Sequence, residues 1–216
     1  MLRHVYLRRG HYSGEICLCL IARRKVPEFQ KLAKSVTERF PQITGVVLNI
    51  NREKTNVILG DEEIVLAGKP DISDTMCTVK VEISPRAFYQ VNTPAAEALY
   101  AQAAEFAEPE GKLLLDLYCG AGTIGLSMAG KARRLIGAEI VPQAVENARR
   151  NCDDATLTAC AGMQPERIVM ISCNAATAAR DCKRLEELGY ALKKVRPFDL
   201  FPRTSHVECA AVLIKK

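Results

Sequence analysis

The sequence predicts an α/β protein whose second half forms a parallel, doubly wound sheet. Apolar strand segments alternate with helical segments in this half, as in βαβ units; they lie at 112–116, 123–130, 134–138 and 142–151. The first strand ends at Asp116, and a turn follows in which Gly120 and Gly122 let the backbone approach a ligand closely. The next strand ends at Glu139, 23 positions after Asp116. At that place a doubly wound sheet presents a carboxylate to the ribose hydroxyls of a nucleotide.

The first half of the chain has the pattern of a small α+β domain. Its strand segments alternate apolar and polar residues; they lie at 3–8, 15–21, 43–50, 56–59, 63–66 and 78–83. An amphipathic helix is predicted at Pro27–Arg39, with proline in its first turn. A second helix, Pro94–Phe106, is predicted with Thr93 as its cap. We therefore predict a small central domain at 1–92 and a Rossmann-like domain at 93–216.

The second domain is too short for a complete doubly wound sheet. Only Cys152–Pro165 separate the helix at 142–151 from the next strand, 167–172, whereas one βαβ unit takes about 30 residues or more. The remaining elements are a helix and two closing strands, at 175–188, 192–198 and 207–214. The sequence thus predicts a sheet that lacks its third and fourth strands and is shortened between 151 and 152.

Composition excludes several classes of protein. Of the 216 residues, 48% are hydrophobic and 25% are charged, which is typical of a soluble globular protein. No apolar run reaches 18 residues, and the N-terminus has no signal-peptide pattern, so we expect a cytoplasmic protein without a membrane partner. The net charge of +5 is mild for this length and does not by itself indicate a polyanionic partner.

The cysteines do not form a recognisable metal motif. There are nine of them, no C-x-x-C pair occurs, and only Cys17 and Cys19 are closely spaced. In an alternating strand these two side chains lie on one face, so we predict that they are buried core thiols. We accordingly expect neither a metal site nor an iron–sulfur cluster.

The glycine turn by itself does not decide between two kinds of cofactor. Gly125 completes the spacing G-x-G-x-x-G, which also occurs in dinucleotide-binding proteins. However, the stretch from Asp116 to Gly122, Asp-Leu-Tyr-Cys-Gly-Ala-Gly, resembles motif I of class I S-adenosylmethionine (SAM) methyltransferases. That resemblance favours SAM over a dinucleotide.

Four separated segments together resemble one family. They are Phe88–Asn92, the turn after Asp116, Ile171–Asp181 and Phe198–Glu208. In this order they are similar to the motifs of the RNA uracil-5-methyltransferases, which modify 23S ribosomal RNA and transfer RNA. The ribosomal-RNA branch is the more similar of the two. The resemblance implies a class I SAM-methyltransferase fold, SAM as cofactor and RNA as partner, with 23S rRNA preferred and tRNA as the alternative.

The resemblance also implies roles for individual residues. Cys173 corresponds to the nucleophile that adds to carbon 6 of uracil, and Glu208 to the base that removes the proton from carbon 5. Six positions match cofactor-binding positions of the family: Gln90, Tyr118, Gly120, Gly122, Thr123 and Glu139. Phe88 and Tyr89 allow two interpretations: their rings either stack on RNA bases or pack in the core.

Two family motifs are absent from the sequence. Relatives carry an acidic motif on the third strand and an Asp-Pro-Pro-Arg motif after the fourth, and neither is found here. Both motifs line the pocket for SAM and uracil in the family. A catalytically inactive, RNA-binding relative is therefore the alternative to an active uracil-5-methyltransferase.

Overall fold

The structure is a computed structural model that describes residues 2–53, 56–86, 89–119, 122–138 and 161–216. The chain divides into two compact units, Met1–Tyr89 and Gln90–Lys216. The helix predicted at 142–151 and the junction between 151 and 152 lie outside the described residues, as do Gly120, Glu139 and Phe88.

The first unit is built on a four-stranded sheet with the order β1-β2-β3-β4. Its strands are β1 (Leu2–Arg9), β2 (Ile16–Ala22), β3 (Ile43–Ile50) and β4 (Glu62–Gly68). Helix α1 (Pro27–Arg39) joins the parallel pair β2 and β3 and packs on one face of the sheet through Phe29 and Ala33. The hairpin β5 (Ile72–Met76) and β6 (Val79–Ile83) packs on the other face. Because both faces are covered, β2 and β3 are buried almost throughout.

Cys17 and Cys19 confirm the prediction of buried core thiols. Both side chains lie between the sheet and the β5–β6 hairpin, and both are at most 1% exposed. Burial raises the pKa of Cys17 to about 11 and that of Cys19 to about 12. These thiols therefore remain protonated at neutral pH and act as small apolar groups.

The prediction of a strand at 56–59 is wrong. Asparagine side chains, rather than a neighbouring strand, bind the backbone there: Asn51 Nδ2 donates to the carbonyls of Val57 and Ile58 at 2.8 and 3.0 Å. Asn49, which is fully buried, accepts from Gly60 N–H and donates to the Gly60 carbonyl. A side chain that satisfies the backbone in this way replaces a ladder, so the segment needs no partner strand.

The second unit contains two separate sheets among the described residues. Strands β7 (Leu113–Leu117) and β8 (Arg134–Ala138) form a parallel pair, with the short helix α3 (Thr123–Met128) between them in the chain. The second sheet has the order β10-β11-β9 and is antiparallel. Its strands are β9 (Arg167–Ser172), β10 (Tyr190–Phe198) and β11 (Glu208–Lys215), and helix α4 (Ala175–Glu187) follows β9. In the described ranges no ladder joins β7 to β9.

Helix α2 (Thr93–Ala107) contacts both parts of the second unit. It packs against α3 beside one sheet and against β9 and β11 of the other. At its C-terminal end, Arg167 donates to the Phe106 carbonyl at 3.0 Å and to the Glu108 carboxylate at 2.7 Å. The helix cap is Asn92 rather than the predicted Thr93, since Asn92 Oδ1 accepts from Ala95 N–H at 3.3 Å. Helix α2 is thus the element that links the glycine turn to the antiparallel sheet.

Candidate active site

The turn after β7 bends the chain sharply at the carboxyl end of that strand. Tyr118 has φ +59° and Gly122 has φ +74°, so two positions lie in the left-handed region. This conformation is costly for a bulky side chain such as tyrosine, and it is concentrated at functional sites. The amide of Tyr118 donates to the Ala138 carbonyl at 2.9 Å, which ties the turn to β8. The Tyr118 side chain is 43% exposed and therefore accessible to a ligand.

Asp116 connects the end of β7 to helix α3. Its Oδ2 accepts a hydrogen bond from Gly125 N–H at 2.9 Å. Burial raises the pKa of Asp116, and the bond from Gly125 opposes that rise. A Cβ atom at Gly125 would lie 2.7 Å from Asp116 Oδ2 and 2.9 Å from Leu135 Cδ1. The third glycine of the motif is thus required for the close approach of α3 to the two strands.

We expect Gly125→Ala to destabilise the turn by about 1–3 kcal/mol, because the added methyl group must displace the Asp116 carboxylate or Leu135. Thermal unfolding checks this expectation. Gly130→Ala is the matched control, because a Cβ there meets nothing within 4 Å and the residue is not in the left-handed region. Equal melting temperatures for the two variants would contradict the packing role of Gly125.

The remaining predicted cofactor positions fall into two groups. Thr123 begins α3, and its Oγ1 lies 3.1 Å from the hydroxyl of buried Tyr100 on α2, so this side chain ties the two helices together. Gln90 is half-buried, two residues before the cap of α2. Gly120 and Glu139 lie outside the described residues. The structure therefore places Tyr118, Gly122 and Thr123 in one turn beside α2.

The antiparallel register of β9 and β11 brings the two predicted catalytic residues together. Cys209 pairs with Ser172 at the end of the ladder. Glu208 directly precedes Cys209 and Cys173 directly follows Ser172, so both residues lie next to the last pair of this ladder.

Cys173 occupies a short turn that is pinned on both sides. Asn174 N–H donates to Ser172 Oγ at 3.2 Å, and Ser172 Oγ donates to the Asn174 carbonyl at 3.1 Å. Asn174 also caps α4, because its Oδ1 accepts from Thr177 N–H at 3.1 Å. These bonds fix the backbone around Cys173 while its thiol stays exposed. An exposed thiol on a fixed turn is arranged for attack on a ligand.

Glu208 is buried, in contrast to Cys173. Only 6% of the residue is exposed, and burial raises the pKa of its carboxyl group. Burial also raises the pKa of neighbouring Cys209, and charge repulsion from Glu208 and Cys173 adds to the rise. Glu208 and Cys173 thus both act on the thiol of Cys209. A buried carboxylate with a raised pKa and no cation beside it in the described part of the chain has the properties of a general base.

Comparison with known proteins decides the family. The sequence model described as tRNA (uracil-5-)-methyltransferase matches residues 6–162 and 162–216. The chain is 37% identical to an RNA methyltransferase of Bacillus cereus over 98% of its own length, and 38% identical to one of Halalkalibacterium halodurans over the same share. The chain belongs to the tRNA (uracil-5-)-methyltransferase family. It spans 55 and 56% of the lengths of these two relatives.

Solved structures agree with this family assignment. The tRNA (uracil-54, C5)-methyltransferase of Pyrococcus abyssi, solved in complex with S-adenosyl-L-homocysteine, superposes with a TM-score of 0.80 at 27% identity. The match covers 99% of this chain and 60% of that one. The tRNA m1G37 methyltransferase of M. jannaschii has a TM-score of 0.52 at 12% identity, over 100% of this chain and 73% of that one, and shows the shared fold alone. The class I SAM-methyltransferase fold predicted for this family member is confirmed.

In this uracil-5-methyltransferase family member, the loop between β10 and β11 borders the Cys173–Glu208 pair. Arg203 and His206 are exposed on it, and Arg203 has φ +69°. His206 makes an edge contact with Phe201, with ring centroids 6.3 Å apart. Two cationic or protonatable side chains thus stand within five residues of Glu208, on the face of the loop that solvent reaches.

Two residues, Tyr100 and Asn92, have structural roles that sequence reasoning missed. Tyr100 holds Thr123, Asn92 caps α2, and the Asn92 amide also reaches the Leu200 carbonyl. The only sequence signal was an asparagine two positions before a proline at a helix start, which is a common capping pattern. Tyr89 packs in the core of the first unit and donates to Asp74 Oδ2 at 3.3 Å, which supports packing rather than RNA stacking.

The described ranges lack two features. They contain no helix that is long and apolar enough to span a membrane. They also contain no group of three or more histidine, cysteine, aspartate or glutamate side chains arranged to hold a metal ion.

Proposed function

We propose that the chain methylates carbon 5 of a uridine in RNA, with SAM as the methyl donor. The placement of Cys173 and Glu208 next to the last pair of the β9–β11 ladder carries this proposal, because the reaction needs a nucleophile and a base close to one uracil ring. The turn around Tyr118 and Gly122 supports cofactor binding, since it lies at the carboxyl end of a parallel strand, where nucleotides bind in open α/β sheets. We assign the chemistry to residues 93–216 and regard 1–92 as a separate domain.

The chemistry follows from the placement of the two side chains. The Cys173 thiolate adds to carbon 6, and the electron pair of the 5,6 double bond moves onto the carbon 4 carbonyl to form an enolate. SAM, when bound, supplies an electrophilic methyl group for carbon 5. Glu208 then takes the proton from carbon 5, the carbon 6–sulfur bond breaks, and the double bond returns. The buried carboxylate favours this last step, because its raised pKa makes it a stronger base.

We further propose 23S rRNA as the substrate, on the strength of the motif resemblance. The Pyrococcus abyssi neighbour is a tRNA methyltransferase by its name, and the family model is described by tRNA as well. Both RNAs therefore belong in the assay. A cytoplasmic location is part of the same proposal.

We also propose that the methyltransferase domain lacks an internal segment. The alignment with the Bacillus cereus relative spans 255 residues, which is 39 more than this chain contains. The separation of β7–β8 from β9–β11–β10 in the described ranges supports a loss of the strands that would lie between them. This feature is also what favours the alternative, a relative that binds RNA without methylating it.

Isothermal titration with S-adenosylhomocysteine tests cofactor binding first, with Glu139→Ala as the comparison. Micromolar affinity that the substitution abolishes supports the proposed site. A methylation assay with tritiated SAM, on transcripts of 23S rRNA and of tRNA, then tests activity and substrate. RNA affinity without cofactor binding or methyl transfer would replace our proposal with the inactive, RNA-binding alternative.

A further inference from the structure

The side chain of Asn92 makes two hydrogen bonds in opposite directions. Its Oδ1 accepts from Ala95 N–H at 3.3 Å and so caps α2. Its Nδ2 donates to the carbonyl of Leu200 at 3.2 Å, across 108 positions of the sequence. One amide group thus joins the start of α2 to the loop between β10 and β11. A side-chain amide carries its acceptor and its donor on separate atoms, so it can make both bonds at once.

Among the described residues, few other hydrogen bonds hold the loop 199–207. Its other hydrogen bonds are internal: Thr204 binds the Phe201 carbonyl through both N–H and Oγ1, and His206 N–H donates to Thr204 Oγ1. Residues 202–207 are all exposed, while Leu200 is 2% exposed. In the described ranges, the bond from Asn92 is the one hydrogen bond between this loop and the rest of its unit. Leu200 and Asn92 are therefore the anchor of the loop.

The anchored loop bears directly on the catalytic pair. It ends at Glu208, the first residue of β11, and it carries the exposed side chains of Arg203 and His206. Arg203 adopts φ +69°, a conformation that is unfavourable for an arginine and persists only where the surroundings hold the backbone. A loop released at Leu200 loses that support.

We propose that Asn92 is a positioning residue for methyl transfer: its amide holds the loop 199–207 over the catalytic pair. This inference rests on the proposed function and deepens it. Asn92 contacts no reacting atom in this scheme. It acts through the Leu200 carbonyl, which sets the course of the chain toward Arg203, His206 and Glu208.

Asn92→Asp separates the two hydrogen bonds of the side chain. Aspartate keeps the cap on α2, and its charge is favourable at a helix N-terminus, but it has no donor for the Leu200 carbonyl. We expect the melting temperature to stay close to that of the wild type. Hydrogen–deuterium exchange at Thr204 and His206 should become about tenfold faster, since the loss of one hydrogen bond of about 1.4 kcal/mol corresponds to a factor of ten.

Kinetics supply the second measurement. We expect kcat for RNA methylation to fall about tenfold in Asn92→Asp, whereas affinity for S-adenosylhomocysteine stays unchanged. Asn92→Ser, which also caps a helix but lacks the amide donor, should behave in the same way and replaces the aspartate variant if that variant does not fold. Asn174→Asp serves as control for exchange only, because Asn174 caps α4 through the same geometry without a bond to the loop.

The outcomes separate the two proposals. Wild-type exchange rates at Thr204 and His206 in both Asn92 variants would overturn the positioning role, whatever the activity. Faster exchange with an unchanged kcat would overturn it as well, since the loop would then be anchored without effect on the reaction. If the wild-type chain transfers no methyl group but the variants loosen the loop, the anchor stands and the proposed function fails.

Discussion

Cys173→Ala is expected to abolish methyl transfer, lowering kcat/KM at least about a thousandfold. The neighbouring cysteine in the ladder cannot take over the attack. Cys209 pairs with Ser172 at the end of the ladder, and it is buried. Burial raises the pKa of its thiol. Incorporation of tritium from labelled SAM into RNA measures the effect, and binding of S-adenosylhomocysteine should be retained.

Cys77→Ala is the control for this variant. Cys77 is a partly exposed cysteine of the first unit and has no part in the proposed chemistry. Its replacement should leave the rate within about twofold, because a surface substitution of this kind changes little. Methylation by Cys173→Ala at more than about a tenth of the wild-type rate would exclude covalent catalysis through this residue.

Glu208→Gln is expected to stall the reaction after the carbon–sulfur bond has formed. Without a base, the carbon 5 proton leaves slowly, and we expect kcat to fall about 10²- to 10⁴-fold. The cysteine can still attack, so a covalent complex of protein and methylated RNA should accumulate. Denaturing gel electrophoresis detects that complex, and Cys173→Ala combined with Glu208→Gln should remove it. A variant that turns over normally would refute the assignment of Glu208 as the base.

The pH dependence of the rate provides an independent check. Because burial raises the pKa of Glu208, activity should fall as the pH drops through this raised value, at which the base becomes protonated. The stability of the folded state depends on pH in the opposite direction. A carboxyl group whose pKa is raised on folding stabilises the folded state below its unfolded pKa, and this contribution is lost as the pH rises through the folded pKa.

Glu208→Gln should therefore be at least as stable as the wild type at pH 8. The stability advantage of this variant over the wild type should disappear at a pH below the ordinary pKa of a glutamate. There Glu208 is neutral in both the folded and the unfolded state. Thermal unfolding at the two pH values measures the difference. A variant that loses stability at pH 8 would show that the charged carboxylate has a partner after all.

The sequence predicted the two proposed catalytic residues but not the reason why they lie near each other. Cys173 and Glu208 are 35 positions apart, and the pairing of β9 with β11 brings both to the same end of one ladder. Register depends on which residues of the two strands are buried together, and a single sequence does not state which strands are neighbours. The motif resemblance supplied the two residues, and the fold places both at one end of the β9–β11 ladder.

Asparagine residues account for the main differences between prediction and structure. Asn49 and Asn51 bind the backbone of 57–60, so an apolar segment with a strand pattern stays irregular. Asn92 takes the cap that the sequence assigned to Thr93. In both segments the local sequence is compatible with two structures. The hydrogen bonds of an asparagine side chain to other residues decide which of the two forms.

The ladder between β9 and β11 has a consequence for how this family can diverge. Its main-chain pairing ends at Ser172 and Cys209, next to the two proposed catalytic residues, and the loop 199–207 leaves β10 at Phe198 and returns at Glu208. Exchanges at the exposed positions 202–207 therefore alter what solvent and RNA meet without altering this pairing. In our proposal, mutation of these positions can change the choice of uridine while selection preserves the ladder and the Leu200 anchor.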